Sequence, residues 1–224
     1  MSRAPRDVAV FLNARMQSRR CPGKMLRPFA GSTLLDICLE KVAVLGWPTT
    51  YFGAHEEALL ERARRHPGLI LYQRSLESAR SDSDPRKIFE ILRTIDAPYV
   101  MWINPCAPML TVETLRAALG WFLKSDHRSL TAVRELGGWF YAGDGRPLNE
   151  TGGNVDTMLS RPILQVTHGF HIYDRARMLE TGRPWSNRPE DPHLFVIPEA
   201  EAYDIDTEEE FETVEYLYRR RTHG

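Results

Sequence analysis

The chain has 224 residues, 29 of them Lys or Arg and 30 Asp or Glu, for a formal net charge of −1. A 42% hydrophobic share with 26% charged residues excludes a disordered or fibrous chain, and the neutral balance gives no general attraction to nucleic acid or to an anionic membrane. No apolar run reaches the ~18–20 residues of a membrane helix, and three scattered cysteines (Cys21, Cys38, Cys106) supply neither a disulfide framework nor a CxxC metal site. The first apolar patch meets Asn13 and Arg15 at once, unlike a signal peptide, so a cytoplasmic protein is expected.

Residues 7–12 (DVAVFL) form a continuous apolar run of strand length, the pattern of a strand buried on both faces. Residues 33–45 follow with Leu34, Leu35, Ile37, Cys38, Val42 and Leu45 at helical spacing. A strand is expected at 49–52, a charged surface helix at 56–65 and a strand at 69–72. Asp84 before Pro85 reads as an N-cap followed by a first-turn proline, opening a helix that runs to 95. A strand at 99–104 is stopped by Pro105 and Pro108, and 112–123 is helical. Strands separated by helices give βαβ units: an α/β, Rossmann-like fold with a mostly parallel sheet.

The alternation breaks after Leu130. Glycines at 137–138, 143, 145 and 152–153 surround Trp139, Phe140 and Tyr141, so residues 134–168 read as a hairpin or arm projecting from a single domain, 1–224. Regular structure returns at 164–173, with a short helix at 174–181 and a strand at 195–198. The last helix starts at Thr207, which forms a capping box with Glu210, and Phe211, Val214, Leu217 and Tyr218 share one face of it.

The most informative segment is 13–24. It follows the first buried strand at the carboxyl end of the sheet, where open α/β folds bind ligands. Arg15, Arg19, Arg20 and Lys24 bring four positive charges into ten residues beside Ser18. Such a loop can wrap a polyphosphate with backbone N–H groups, a hydroxyl and charge-assisted bonds. Neither the Walker pattern nor the dinucleotide fingerprint is present. Near the other end, Asp204 and Asp206 stand two apart just before the last helix. On an extended backbone both carboxylates face one side, a pair of hard oxygen ligands suited to Mg²⁺ beside a triphosphate.

The arrangement resembles the cytidylyltransferases that make CMP-activated sugars, the acylneuraminate and 3-deoxy-octulosonate group with their spore-coat-polysaccharide relatives. Their first loop, A-R-x-x-S-x-x-x-P-x-K, stands here as ARMQSRRCPGK from Ala14 to Lys24. Gly31, Leu34 and Leu35 match the following segment, Arg74 ends the strand before the base-binding loop, and Asp204-Ile205-Asp206-Thr207 matches the closing D-I-D-T. The resemblance implies an enzyme that transfers CMP from CTP to a small acidic sugar, with Mg²⁺ as cofactor, a homodimer joined through the arm, and no nucleic acid or membrane partner. It implies that Lys24 stabilises charge growing on the α-phosphate and that Arg15 and Ser18 hold the leaving pyrophosphate. Asn13 and Ala14 complete the CTP contacts, Arg74, Ser81 and Ser83 border the cytidine, and Asp204 and Asp206 serve the metal.

The acceptor half departs from the family pattern. Asn104 stands where sialic-acid enzymes have Gln, Ala107 replaces Ser, Leu110 replaces Arg, and Val166 lies near the position of a carboxylate-binding basic residue. His168 takes the place of an Asn and is expected, with Asn104 and Tyr173, to border the acceptor. His168 and His171, three apart on a strand, are expected to point to opposite faces. Two alternatives stay open: a phosphonate or other non-sugar acceptor, or a nucleotide-binding homologue without turnover.

Overall fold

The computed structural model describes residues 3–149, 156 and 160–223. Seven strands form one sheet in the order β3-β2-β1-β4-β6-β5-β7. They are β1 (Val8–Asn13), β2 (Thr50–Ala54), β3 (Leu69–Gln73), β4 (Tyr99–Ile103), β5 (Ser129–Leu136), β6 (Ile163–Asp174) and β7 (His193–Val196). The first four run parallel, β6 is antiparallel to both β4 and β5, and β7 is parallel to β5. The expected α/β fold with a mostly parallel sheet is present.

The continuous apolar run of β1 has a direct cause. Val8, Val10 and Leu12 enter one core cluster while Ala9 and Phe11 enter the other, so both faces are buried. The larger cluster lies under α1 (Leu34–Leu45), α2 (Glu57–Ala63), α5 (Val112–Lys124) and α7 (Glu208–His223). α1 is bounded by its own sequence: the Thr33 hydroxyl accepts from the Asp36 N–H at 3.1 Å, and Gly46 closes it at φ 64°. α2 is less of a surface helix than its charges suggest, because Leu59, Leu60 and Ala63 are buried. After α3 (Leu76–Arg80) and α4 (Pro85–Ile88), a 3₁₀ turn (Glu90–Arg93) supplies Ile91 and Leu92 to the smaller cluster on the opposite face, and α6 (Arg175–Thr181) adds Met178.

Two expectations are corrected. The helix expected from 84 to 95 is broken: the Asp84 cap and Pro85 are as expected, but α4 ends at Ile88 and Phe89 turns to φ −106°, ψ 38°. The Ile88 carbonyl accepts from Asn13 Nδ2 at 3.0 Å and Arg74 Nη2 at 3.1 Å, while the Leu92 N–H bonds to the Phe89 carbonyl instead. At the base of the expected arm, residues 134–136 pair only with 163–165, beyond the stretches of β6 and β5 that pair with β4 and β7. Part of the remainder, residues 150–155 and 157–159, lies outside the described residues; the described part holds a Tyr141–Pro147 bridge, with Trp139 and Tyr141 exposed. The strand expected at 195–198 is β7, two residues earlier. Among the described residues no helix is long and apolar enough to cross a membrane.

Candidate active site

β2 and β4 leave β1 in opposite directions, so the carboxyl ends of β1 and β4 open a crevice at a topological switch point. Residues 13–24 leave β1 there and line one side of a cleft of about 470 Å³. Trp102, Asn104, Pro105 and Cys106 from the end of β4, with Asp82 and Asp206, line the rest. The phosphate loop is pinned from behind: Glu56 Oε1 accepts from the Met16 N–H at 3.0 Å, the Ala14 N–H donates to the Gly53 carbonyl at 3.0 Å, and Ser18 Oγ accepts from the Cys21 N–H at 3.3 Å. Gly23, at φ 68°, turns the chain so that the next residue reaches inward.

That residue is Lys24, only 9% exposed. Its ammonium donates to the Ile205 carbonyl and lies 3.3 Å from Asp206 Oδ1. Burial pulls its pKa down, but Cys106, Asp206 and Asp204 more than offset this and hold it above the usual lysine value. Burial pushes the Cys106 thiol up to about 12, so near neutral pH that thiol is uncharged and the aspartates carry the attraction. The same shift leaves Cys106 a small packing residue, not a nucleophile.

The closing acidic pair is held by the chain on both sides. Asn104 Nδ2 donates to Asp204 Oδ1 at 3.1 Å, and the Ile205 N–H between the aspartates donates to the Cys106 carbonyl at 3.0 Å. The expected capping box is formed: Thr207 Oγ1 accepts from the Glu210 N–H, and Glu210 Oε2 accepts from the N–H groups of Asp206 and Thr207. Burial, then the like charge of Asp206, pushes Asp204 up to about 7. A half-buried carboxylate raised by its neighbour is a site that a cation would relieve, so the donor set fits Mg²⁺. The two aspartates border different cavities, however: Asp206 the phosphate cleft, and Asp204 a space of about 690 Å³ with Arg134, His168, Tyr203 and Thr207. Among the described residues no cluster of three or more His, Cys, Asp or Glu side chains adds to the pair.

Other expected site residues are rearranged. Arg74 lines the cavity beside the cleft, with Asn13, Ala14, Arg15, Ser81 and Trp102. Its guanidinium, however, is spent on the protein: Nε donates to Ser78 Oγ, Nη1 to the Ala14 carbonyl, and Nη2 to the carbonyls of Ser78 and Ile88. It is a strut that ties the phosphate loop to α3 and α4, not a free donor for cytidine. Ser81 lines that cavity, but Ser83 is exposed and lines none of the cleft surfaces. Tyr173 is fully buried in the smaller core cluster, its hydroxyl without a partner.

His168 and His171 are not on opposite faces. The β5–β6 register shifts between Thr131 and Val133, and His168 sits at φ 53° opposite that irregularity. The turn brings His168 Nδ1 to 3.2 Å from His171 Nε2, while His171 Nδ1 faces Thr131 Oγ1 at 2.7 Å. Burial, and secondarily His168, pushes His171 down to about 3, so its ring is neutral. His168 borders both the Asp204 space and a cavity of about 290 Å³ walled by Phe89, Trp102, His171, Tyr173, Met178 and Trp185. Sequence analysis did not find the Trp102–Trp185 wall. The loop that carries Trp185 is fastened by Asp191, which accepts from Ser129, Ser186 and Arg177, contacts between residues up to 62 positions apart.

The cleft at the switch point gathers a buried lysine, three loop arginines and the carboxylates of Asp82 and Asp206. Residues 9–49, from β1 through the phosphate loop and α1, match the family model described as cytidylyltransferase. The whole fold is similar to that of several solved structures. A CMP:2-keto-3-deoxy-manno-octonic acid synthetase complexed with CTP aligns at a TM-score of 0.67 and 14% identity, over 96% of this chain and 99% of that one. A 4-diphosphocytidyl-2C-methyl-D-erythritol synthase from Anaerococcus prevotii aligns at 0.67 and 12% identity, over 95% and 96%. A cytidylyltransferase from Leptospira borgpetersenii aligns at 0.58 and 19% identity, over 93% and 85%. No curated protein matches the sequence.

Proposed function

We propose that the chain is a Mg²⁺-dependent cytidylyltransferase that joins CMP from CTP to a hydroxyl of a small acidic sugar and releases pyrophosphate. The observation that carries this is Lys24, buried against Asp206 and the Ile205 carbonyl at the mouth of the β1–β4 crevice, with the arginine-bearing loop around it. In a direct in-line transfer the acceptor oxygen bonds to the α-phosphorus, the bond to the bridging oxygen breaks, and pyrophosphate leaves with that electron pair. Such a transfer needs positioning and charge neutralisation and no covalent nucleophile. Lys24 meets the charge that grows on the α-phosphate, and Arg15 holds the departing end. Asp204 and Asp206 would hold Mg²⁺, which when bound lowers the pKa of a coordinated hydroxyl and offsets phosphate charge.

The acceptor is placed on the Asp204 side, where Asn104 orients that carboxylate and His168 borders two cavities. A non-sugar acceptor is the second reading, favoured by one observation: no Lys or Arg lines the aromatic cavity of Trp102, His171 and Trp185, so that wall suits an uncharged, apolar face. A homodimer joined through the arm is supported by the exposed Trp139 and Tyr141 on its described part. The test is pyrophosphate release from CTP and Mg²⁺ against a panel of sugar acids, phosphonates and uncharged cyclic alcohols. Release with a sugar acid supports the first reading and release with only the others the second, whereas CTP binding without release on any acceptor contradicts both.

A further inference from the structure

The carboxylate of Asp82 is shared by two arginines of the phosphate loop. Arg15 Nη1 lies 2.7 Å from Oδ1, and Arg19 Nη2 lies 3.3 Å from Oδ2. All three side chains line the same cleft as Lys24 and Asp206. The loop that carries Asp82 does not need these bonds for its own shape. On one side the Ser81 N–H donates to the Glu77 carbonyl at 3.0 Å, and on the other Asp84 caps α4 through the Arg86 N–H at 3.0 Å. Hydrogen bonding and charge from Arg15, then the charge of Arg19, hold Asp82 below the usual carboxylate range, so it is ionised at neutral pH. A carboxylate whose two oxygens bridge two guanidinium groups makes the contacts that a phosphate oxygen pair would make there.

We propose that Asp82 is an internal competitor for polyphosphate: its carboxylate marks the position of the pyrophosphate moiety between Arg15 and Arg19 and is displaced from it when CTP binds. The inference rests on the CTP reading above and extends it in two ways. It pairs Arg19 with Arg15 as a ligand of the phosphate tail, and it sets Arg20 apart, because Arg20 instead pairs with Asp206 at 2.7 Å. It also links the two ends of the nucleotide. The cavity beside the cleft is lined by Ser81 together with Asp82, so the carboxylate that leaves the arginines stays on the loop that borders the base. On the return step the carboxylate re-forms both ion pairs and weakens the hold on the departing pyrophosphate.

The two pairs are exposed, with Arg19 92% accessible, so the expected effect is modest. Calorimetric titrations of the wild type, Asp82→Asn and Glu77→Gln with CTP, pyrophosphate and CMP, at fixed Mg²⁺ and ionic strength, test it. Asp82→Asn should tighten CTP and pyrophosphate by about three- to tenfold and leave CMP within twofold. Glu77→Gln, the same charge change on α3 outside the cleft, should alter none of the three. Unchanged or weaker pyrophosphate binding in a folded Asp82→Asn protein would overturn the proposal. So would an equal gain for CMP, which marks a general field effect. A wild type that binds pyrophosphate but not CTP would overturn the CTP reading, and the pyrophosphate titration of Asp82→Asn would still decide the role of Asp82. Binding of neither would overturn both.

Discussion

Under the proposed function Lys24 and Arg15 divide the phosphate chemistry between them. Lys24 is buried and would meet the charge on the α-phosphate, whereas Arg15 is part-exposed and would hold the tail of the triphosphate. Lys24→Ala should therefore lower kcat more than it raises the KM for CTP, and Arg15→Ala should raise KM as well as slow turnover. Each loss is worth roughly 1.5–3 kcal/mol, or about 10- to 150-fold, read from steady-state kinetics with CTP varied. Gly53 is a quieter residue with a definite prediction. A Cβ there would lie 2.6 Å from Asn13 Oδ1 and 3.5 Å from Arg74 Cδ, so Gly53→Ala must turn the Asn13 amide that donates to the Ile88 carbonyl. It should cost about 1–3 kcal/mol in chemical denaturation and weaken CTP binding with it. At this scale the loop residues were legible because their chemistry is local: four cations, a serine and a turn within ten positions. Asp82 and Trp185 were not, since their roles come from partners about 14 to 67 residues away.

The elements show where local pattern yields to tertiary demand. α1 stands where its apolar spacing put it and α7 where its capping box did, because Thr33, Gly46, Thr207 and Glu210 bond within their own helices. The break after Ile88 was invisible in the sequence, because the competitors for its carbonyl, Asn13 and Arg74, come from β1 and the end of β3. The irregularity that joins His168 to His171 was hidden likewise, since no glycine or proline marks His168 itself and its strand partner lies more than thirty residues earlier. That element carries a pH prediction. His171 is pushed down to about 3 in the folded chain, against about 6.5 when unfolded. Its contribution is fully present above pH ~6.5 and is lost as pH falls toward 3, by about 1.4 kcal/mol per unit. Between pH 7 and pH 5, His171→Gln should reduce the acid-induced loss of denaturation free energy by about 2 kcal/mol. An unchanged slope would mean the ring is hydrated and not buried in solution.

Across the whole molecule the parallel half of the sheet was readable from alternation alone, because each βα step brings a strand and its cover together within a short span. The far half was not: β6 enters beside β4 before β5 does, and β7 pairs with β5 across about sixty residues. The consequence for function is a division of labour. The parallel half supplies the phosphate loop and the crevice, while β6, the Trp185 loop and the segment before α7 build the acceptor side. The nucleotide half can be tested without knowing the acceptor. Calorimetric titration of the wild-type chain with CTP in the presence of Mg²⁺, beside Lys24→Ala and Arg15→Ala, measures it directly. Saturable binding at one CTP per chain, weakened about tenfold or more in Arg15→Ala, is the expected result. A wild type that shows no saturable CTP binding, or an Arg15→Ala variant that binds CTP as the wild type does, would contradict the assignment of this cleft.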